Sequence, residues 1–576
     1  LNTGTLPHSP NRWLAALVGG AFLLFAMLGG VGLLYNETDG QYSAAARVMA
    51  EGGSWLIPEN NGMPRLQKPP LLYWMSAVSM SLFGINEFAA RLPGALAMAA
   101  TVWATALIGS RLMDPRRGLM AGAIFATFLG TFTLGRIIMP EPLMTAFIAW
   151  AIYCLLRMGD AESGQARAWA IGFWLAAGLA AFSKGPHGLL YPVAIAGLAA
   201  IFNAEGRKAF RGSWCWPGPL LALAINLPWY LYVEREYPGW LHQLVFSEFA
   251  GHLAGTPAPI GGRDDVPPGQ FLFLHLVWFF PWLPIVIVGA IGKLFAPKPT
   301  KSVRPGGQTG LPWGWSLVGC WGGVVLGSVL VLGQRQDYYA MSMWPVVAIA
   351  LAFVWEHIWA EWEGALLALV GLLIAGLIFV QPQTLDAGTT ADRSTAWNTF
   401  ARIGELWEPV RPWAILAGTG LFAIGALLLL TARRNPTRGF IGVATAATLL
   451  GSVAVGATGT LAPWFSLGGV AAEIRSHDAR IVYDGGLDTG SSLLFYTDQP
   501  ILLLTAPTRR DVASFARRQD RFIDEERLIG EWKSARPLLL ITESTRVEYW
   551  QRLLHPKPVQ LWREGTQVGL SPGQEL

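Results

Sequence analysis

Two carboxylates and a lysine near the start of the chain carry the chemistry that stands out first. The segment Tyr35-Asn36-Glu37-Thr38-Asp39-Gly40-Gln41-Tyr42 follows the first long apolar run, and Gln67-Lys68-Pro69-Pro70 opens the next apolar stretch. Glu37 and Asp39 thus emerge at a lipid–water boundary, where ionisable groups are costly and mark sites. A carboxylate fixed there, opposite a cation whose backbone is stiffened by two prolines, suits transfer from a lipid phosphate. The acid takes a proton or orients an acceptor, and the cation stabilises the departing phosphate. The plainer readings are an N-cap at Asp39, ahead of a helix starting near Tyr42, and a lysine at Lys68 that snorkels to the headgroups.

The elements that position these groups follow from composition. Of 576 residues, 52% are hydrophobic and only 14% charged, against roughly 25% charged in soluble domains, so lipid solvates most of the chain. A net charge of +4 is too small to point to nucleic acid. Cys154, Cys215 and Cys320 lie in or beside apolar runs and indicate no disulfide framework. The first run, near 13–34, is too long for a signal-peptide core, lacks a small-residue cleavage site and reads as a retained helix. Apolar stretches predict thirteen spans, near 13–34, 88–109, 118–135, 138–157, 167–183, 185–203, 214–233, 269–292, 311–333, 338–355, 363–380, 411–431 and 439–461.

The positive-inside rule orients the set. With the N-terminus cytoplasmic, five of six inner loops carry Lys or Arg, whereas 355–363 carries three carboxylates instead. The odd span count then places 462–576 on the outer face. Its short β-like runs (480–483, 501–504, 538–542) alternate with charged helical runs (509–518, 545–554), which predicts one small α/β domain serving as a lid or acceptor-docking surface. In this orientation Asp39, Lys68, Arg136, Glu141, Lys184, Glu248, His252, Arg335, Tyr338 and Tyr339 come from five loops at one membrane face, which predicts a single cavity.

The order of motifs resembles the lipid-linked-sugar glycosyltransferases of the GT-C fold, in particular the protein O-mannosyltransferase and lipid A aminoarabinose transferase superfamily. The resemblance runs from residue 31 to about 350. It rests on Asp39, Gly53-x-Trp55-x-x-Pro58, Asn61-Gly62, Lys68-Pro69-Pro70-Leu71-Leu72-Tyr73-Trp74 and Arg91-Leu92-Pro93, then Ser183-Lys184-Gly185-Pro186, Pro228-Trp229-Tyr230 and Arg335-x-x-Tyr338-Tyr339 with Pro345. It implies a polytopic α-helical membrane protein of about thirteen helices in the bacterial inner membrane. Residues 1–461 would be the transferase domain, with loop 35–87 carrying catalytic residues, and 462–576 would be periplasmic. The implied reaction moves a sugar from a polyprenyl-phosphate donor to lipid A, a glycan or a protein hydroxyl, inverting the anomeric centre. Asp39 and Glu141 would be catalytic, and Lys68, Arg335, Tyr339 and Lys184 would bind the donor phosphate. Glu37, Tyr42, Tyr73, Glu248, His252 and Tyr338 would contact substrate.

The chain departs from the family pattern at several points. The family has Asp-Glu-x-Arg-Tyr where this chain has Asp39-Gly40-Gln41-Tyr42, one residue shorter and without the arginine. An acidic residue before Lys-Pro-Pro is replaced by Gln67, His-Glu-x-x-x-x-Arg by Ser247-Glu248 and then His252, and an Asp by Glu141. The substitutions in the first loop point to a sugar other than aminoarabinose. The residues name no definite cofactor; Glu248 and His252, four residues apart, have a spacing that could bind a divalent metal, but with His252 alone and Gln67 in place of a third ligand the plainer structural reading is preferred. A lipid or lipid-linked-sugar flippase is the competing class, but such proteins place charges near mid-membrane in repeat-related halves, and no repeat is visible here.

Overall fold

The computed structural model describes residues 10–160, 163–245, 266–294, 312–331, 335–358, 362–376, 403–431, 435–475, 479–504, 519–533 and 537–573. The first helix, α1 (Pro10–Gly29), is followed by α2 (Thr38–Ala50), a short helix that buries Asp39, Tyr42 and Arg47. Strands β1 (Glu59–Asn60) and β2 (Met63–Pro64) then pair antiparallel. Asn61 and Gly62 both take positive φ (53° and 74°) in the connecting turn, the backbone that the Asn-Gly pair adopts most readily. Lys68-Pro69-Pro70 leads into α3 (Leu71–Phe83).

The helical body continues with α4 (Glu87–Leu112), whose N-cap Asn86 accepts from the Ala89 amide at 2.9 Å. Helix α5 (Pro115–Ala126), capped by Asp114, meets α6 (Leu129–Thr133) and a 3-10 turn at a 57° bend. Helices α7 (Glu141–Asp160), α8 (Ser163–Lys184) and α9 (His187–Phe202) follow. Among the described residues, eight helices are long and apolar enough to cross a membrane, and ten if each of two bent pairs is one span. Among the described residues, each predicted stretch falls mainly on helix. However, α9 and 364–376 are shorter than a full crossing, and Pro217–Glu236 ends in Glu234-Arg235-Glu236 and is not among the ten. Most large buried tryptophans pack helices together: Trp282, Trp321, Trp344 and Trp355 are fully enclosed.

A five-stranded sheet closes the chain, ordered β4-β3-β5-β7-β6. β3 (Arg480–Tyr483) pairs parallel with β4 (Ile501–Leu503) and β5 (Leu538–Glu543). β7 (Gln567–Ser571) pairs antiparallel with β5 and with β6 (Val559–Glu564). Side chains alternate across the sheet, so Ile481, Tyr483, Leu539 and Ile541 meet Val470 and Ile474 on one face. Val482, Leu540 and Leu570 meet Trp532 and Trp550 on the other. The predicted strands lie within a residue of β3, β4 and β5; the β6–β7 hairpin extends the sheet beyond that reading, and 509–518 lies outside the described residues.

Candidate active site

The helix predicted to start near Tyr42 starts at Thr38, which puts Asp39 in the first turn of α2, at 5% exposure. Its Oδ2 pairs with Arg91 Nη2 at 3.0 Å, and its Oδ1 accepts from the Ile138 amide at 2.7 Å. A guanidinium offers five donors in a fixed fork, and Arg91 spends others on the carbonyls of Gly29 (3.1 Å), Gly32 (2.9 Å) and Leu33 (2.9 Å). Arg136 donates to the carbonyls of Leu28, at 3.2 Å, and Val31. One carboxylate and two guanidiniums thereby fix the path of the chain as it leaves α1 and tie it to the segment that enters α7.

Glu141 opens α7 and Lys184 closes α8. The two helices form a hairpin, so these residues meet at one end. Their ion pair is 2.8 Å long and buried, with side-chain exposures of 4% and 9%. Each charge also faces the helix end that favours it, an acid at an N-terminus and a base at a C-terminus. Glu141 Oε2 is buried without a hydrogen-bond partner. Lys184 Nζ stands 4.5 Å from the Tyr339 ring centroid, and Tyr338 packs edge-on against Tyr339 at 5.3 Å.

An aromatic wall adjoins this pair. Tyr42 and Tyr73 stack with centroids 5.1 Å apart, and Glu141 lies within electrostatic reach of the Tyr42 hydroxyl. Burial, reinforced by Tyr73, pushes the Tyr42 phenol well above its ordinary value, so it stays protonated and can donate. The Arg65 guanidinium covers Tyr42 at 4.8 Å and donates through Nε to the Tyr73 hydroxyl at 2.9 Å. Lys68, three residues on, is half-buried.

Sequence reasoning thus finds Glu141, Lys184, Tyr338, Tyr339, Tyr42 and Tyr73 gathered, with Asp39 joined to them through Ile138. Arg335 is buried, and its Nε and Nη1 donate to the carbonyls of Val329 (3.1 Å) and Val266 (3.4 Å). Glu37 exposes its side chain and takes φ 63°. Glu248 and His252 lie outside the described residues. Among those described, no three His, Cys, Asp or Glu residues group as metal ligands. Arg91, Arg65, Gln41 and Asp488 were not singled out as site residues. Arg91 had a signal, an ionisable residue inside a 26-residue apolar helix; Asp488 had none.

The sheet domain grips the acidic loop directly. Asn36 Oδ1 accepts from the Ser492 amide (3.1 Å) and hydroxyl (2.6 Å), and the Glu37 amide donates to the Asp488 carbonyl at 2.9 Å. Arg47 donates to the Phe495 carbonyl at 2.7 Å, and Asn61 exchanges two bonds with the Ile501 backbone (2.7 and 3.1 Å). Gly40 lies so close that an added Cβ would fall 2.4 Å from Ser492 N. Gly40→Ala is therefore expected to cost about 1–3 kcal/mol through overpacking and to loosen the sheet domain. Faster limited proteolysis of that domain checks it.

A family model described as dolichyl-phosphate-mannose-protein mannosyltransferase matches residues 67–232. An undecaprenyl phosphate-alpha-4-amino-4-deoxy-L-arabinose arabinosyl transferase of Pseudomonas fluorescens is 28% identical over 48% of this chain and 50% of its own length. An uncharacterised protein of Aquifex aeolicus is 28% identical over 60% of this chain and 73% of its own. The chain spans about half the length of most curated relatives it matches. The crystal structure of ArnT from Cupriavidus metallidurans bound to undecaprenyl phosphate superposes with a TM-score of 0.77 at 18% identity, covering 98% of this chain and 99% of that one. The chain thus has the GT-C fold of a polytopic α-helical membrane protein, and the resemblance read from its motifs, to polyprenyl-phosphate-sugar glycosyltransferases of the lipid A aminoarabinose transferase type, is borne out.

Proposed function

We propose that this protein transfers a sugar from a polyprenyl-phosphate donor to an acceptor, which is lipid A, a glycan or a protein hydroxyl, at the outer face of the inner membrane. The observation that carries this reading is the buried Glu141–Lys184 pair beside Tyr339, Tyr42 and Tyr73, in a fold whose similar proteins include one bound to undecaprenyl phosphate. In the reaction the acceptor oxygen forms a bond to the anomeric carbon while the bond from that carbon to the phosphate oxygen breaks. The electron pair leaves with the phosphate, and the acceptor's proton passes to a base. Attack opposite the phosphate inverts the centre.

The phosphate leaves as an anion, so it needs positive charge more than a proton. Lys68, Lys184, Arg335 and the Tyr339 hydroxyl supply this. Asp39 receives the acceptor's proton or orients an acceptor that is itself a phosphate, and Glu141 holds sugar hydroxyls through its unpartnered oxygen. Residues 1–461 form the transferase domain, with the N-terminus cytoplasmic. The domain 462–576 lies on the outer face and bears on the catalytic loop.

A flippase reading is not favoured, because the described ionisable groups gather where helices end rather than along their middles. Undecaprenyl phosphate is expected to raise the melting temperature of the detergent-solubilised protein, undecaprenol to do so far less, and Lys68→Ala to erase the difference. Equal shifts with both lipids would remove the phosphate from the recognition.

A further inference from the structure

The end of the bundle away from the Glu141–Lys184 pair carries a second concentration of charge. Helix α9 begins beside that pair and runs back from it. Its 16 residues span about 24 Å, less than the roughly 30 Å of a hydrocarbon core. Helix α10 (Ala204–Ser213) follows directly, capped by Asn203, whose Oδ1 accepts from the Glu205 amide at 3.0 Å. Gly212 of α10 lies against Met158, at the far end of α7 from Glu141. The short α9 therefore holds α10 at headgroup depth rather than out in water.

At the helical period α10 has two faces. Gly206, Ala209 and Ser213 share one and are buried against the bundle. They are small, so the helix lies close: a Cβ added to Gly206 would come 2.5 Å from the Ala199 carbonyl oxygen. Arg207, Lys208 and Arg211 share the opposite face and are exposed. Arg207 donates to the Ala200 carbonyl at 3.2 Å. Among the described residues, Lys208 and Arg211 have no carboxylate within ion-pair distance, and Glu205 is the one acid on the helix.

Apolar side chains flank these cations and are just as open. Ile201 and Phe202 are each 70% exposed and Trp216 is 73% exposed, with Trp214 half-exposed between them and the helix end. The Trp214 ring stands edge-on to Trp174, with centroids 5.2 Å apart, and Trp174 Nε1 donates to the Ser213 carbonyl at 2.6 Å, which pins the C-terminal end of α10 to the bundle. Tryptophan beside exposed cations is the composition of a membrane–water boundary. A soluble anion would use the cations alone, whereas a charged amphiphile uses both the cations and the apolar flank.

We propose that α10 and its flanking aromatic residues bind anionic phospholipid in the leaflet opposite the Glu141–Lys184 pair. The headgroup phosphate meets Lys208 and Arg211, and the acyl chains run along Ile201, Phe202 and Trp216. A zwitterionic headgroup brings its own cation to the same face and gains little. The site is independent of the transferase reading, since none of its residues belongs to the candidate active site.

The test titrates lipid onto the full chain in mild detergent and follows the melting curve. Phosphatidylglycerol is expected to raise the melting temperature by several degrees, and phosphatidylcholine or inorganic phosphate to do so far less. Lys208→Gln/Arg211→Gln is expected to melt as wild type does without lipid, both side chains being exposed, and to bind phosphatidylglycerol about thirtyfold more weakly. Arg116→Gln/Arg117→Gln removes the same charge from the same end of the bundle and is expected to leave that affinity near wild type. The proposal is overturned if phosphatidylcholine or inorganic phosphate stabilises wild type as well as phosphatidylglycerol does, or if Lys208→Gln/Arg211→Gln keeps the wild-type affinity. An equal loss in Arg116→Gln/Arg117→Gln would make the effect one of general surface charge and overturn it too.

Discussion

Lys184→Met is expected to reduce sugar transfer at least about a hundredfold, as when one preorganised charge is removed from a developing anion, and to destabilise the fold by about 3–5 kcal/mol. The second effect follows from burial: the Glu141 carboxyl is 4% exposed and one of its oxygens already lacks a partner, so losing Lys184 strands the charge. Glu141→Gln should be as harmful to stability, because it strands Lys184 instead. The double variant Lys184→Met/Glu141→Gln removes both charges, and its thermal stability is expected to recover much of the loss, since replacing a whole buried pair is often near neutral. Its transfer activity is expected to stay lost. Melting curves in detergent alongside transfer rates separate the two effects, and an active double variant would show that the pair only holds α7 to α8.

Asp39→Asn is the second large effect. Oδ2 faces Arg91 and Oδ1 takes the Ile138 amide, so an amide in place of the carboxylate keeps one bond at most and leaves Arg91 and Arg136 side by side without an anion. Transfer is expected to fall by about a hundredfold or more. Arg91→Ala loosens the same knot and is expected to slow transfer too, which makes the pH–rate profile the informative readout. If Asp39 takes the acceptor's proton, Asp39→Asn flattens the acidic limb of the profile, whereas Arg91→Ala lowers the rate but keeps a limb. An acidic limb that persists in Asp39→Asn would assign this residue to positioning alone.

Much of the fold is legible in the sequence for a physical reason: lipid-solvated helices announce themselves as long apolar runs. The Asn61-Gly62 turn and the apolar strands β3 and β5 are equally local signals. The span count is harder, because α9 is apolar but only 16 residues long and α5 meets α6 at a bend. The β6–β7 hairpin was hard to see because Val559, Gln560, Leu561 and Arg563 face outward and break the alternation of an apolar strand.

The site is legible where two helix ends must meet, as Glu141 and Lys184 do across the α7–α8 hairpin. Tertiary partners leave no such trace. Nothing near Asp39 in sequence announces Arg91, 52 residues away, or shows that both carboxylate oxygens are engaged. Gln41 and Asp488 are 447 residues apart, and only the docking of the sheet domain brings them together.

The central claim, that this site breaks a sugar–phosphate bond on a lipid donor, is tested most directly by radiolabelled sugar transfer in proteoliposomes. Undecaprenyl-phosphate-linked donors are supplied with membrane lipid extract, comparing wild type with Lys68→Ala and Asp39→Asn, each verified as folded by its melting curve. Transfer by wild type that collapses in both folded variants is the predicted result. Wild type that moves lipid across the bilayer while leaving every donor's sugar–phosphate bond intact, or folded variants as fast as wild type, would contradict it.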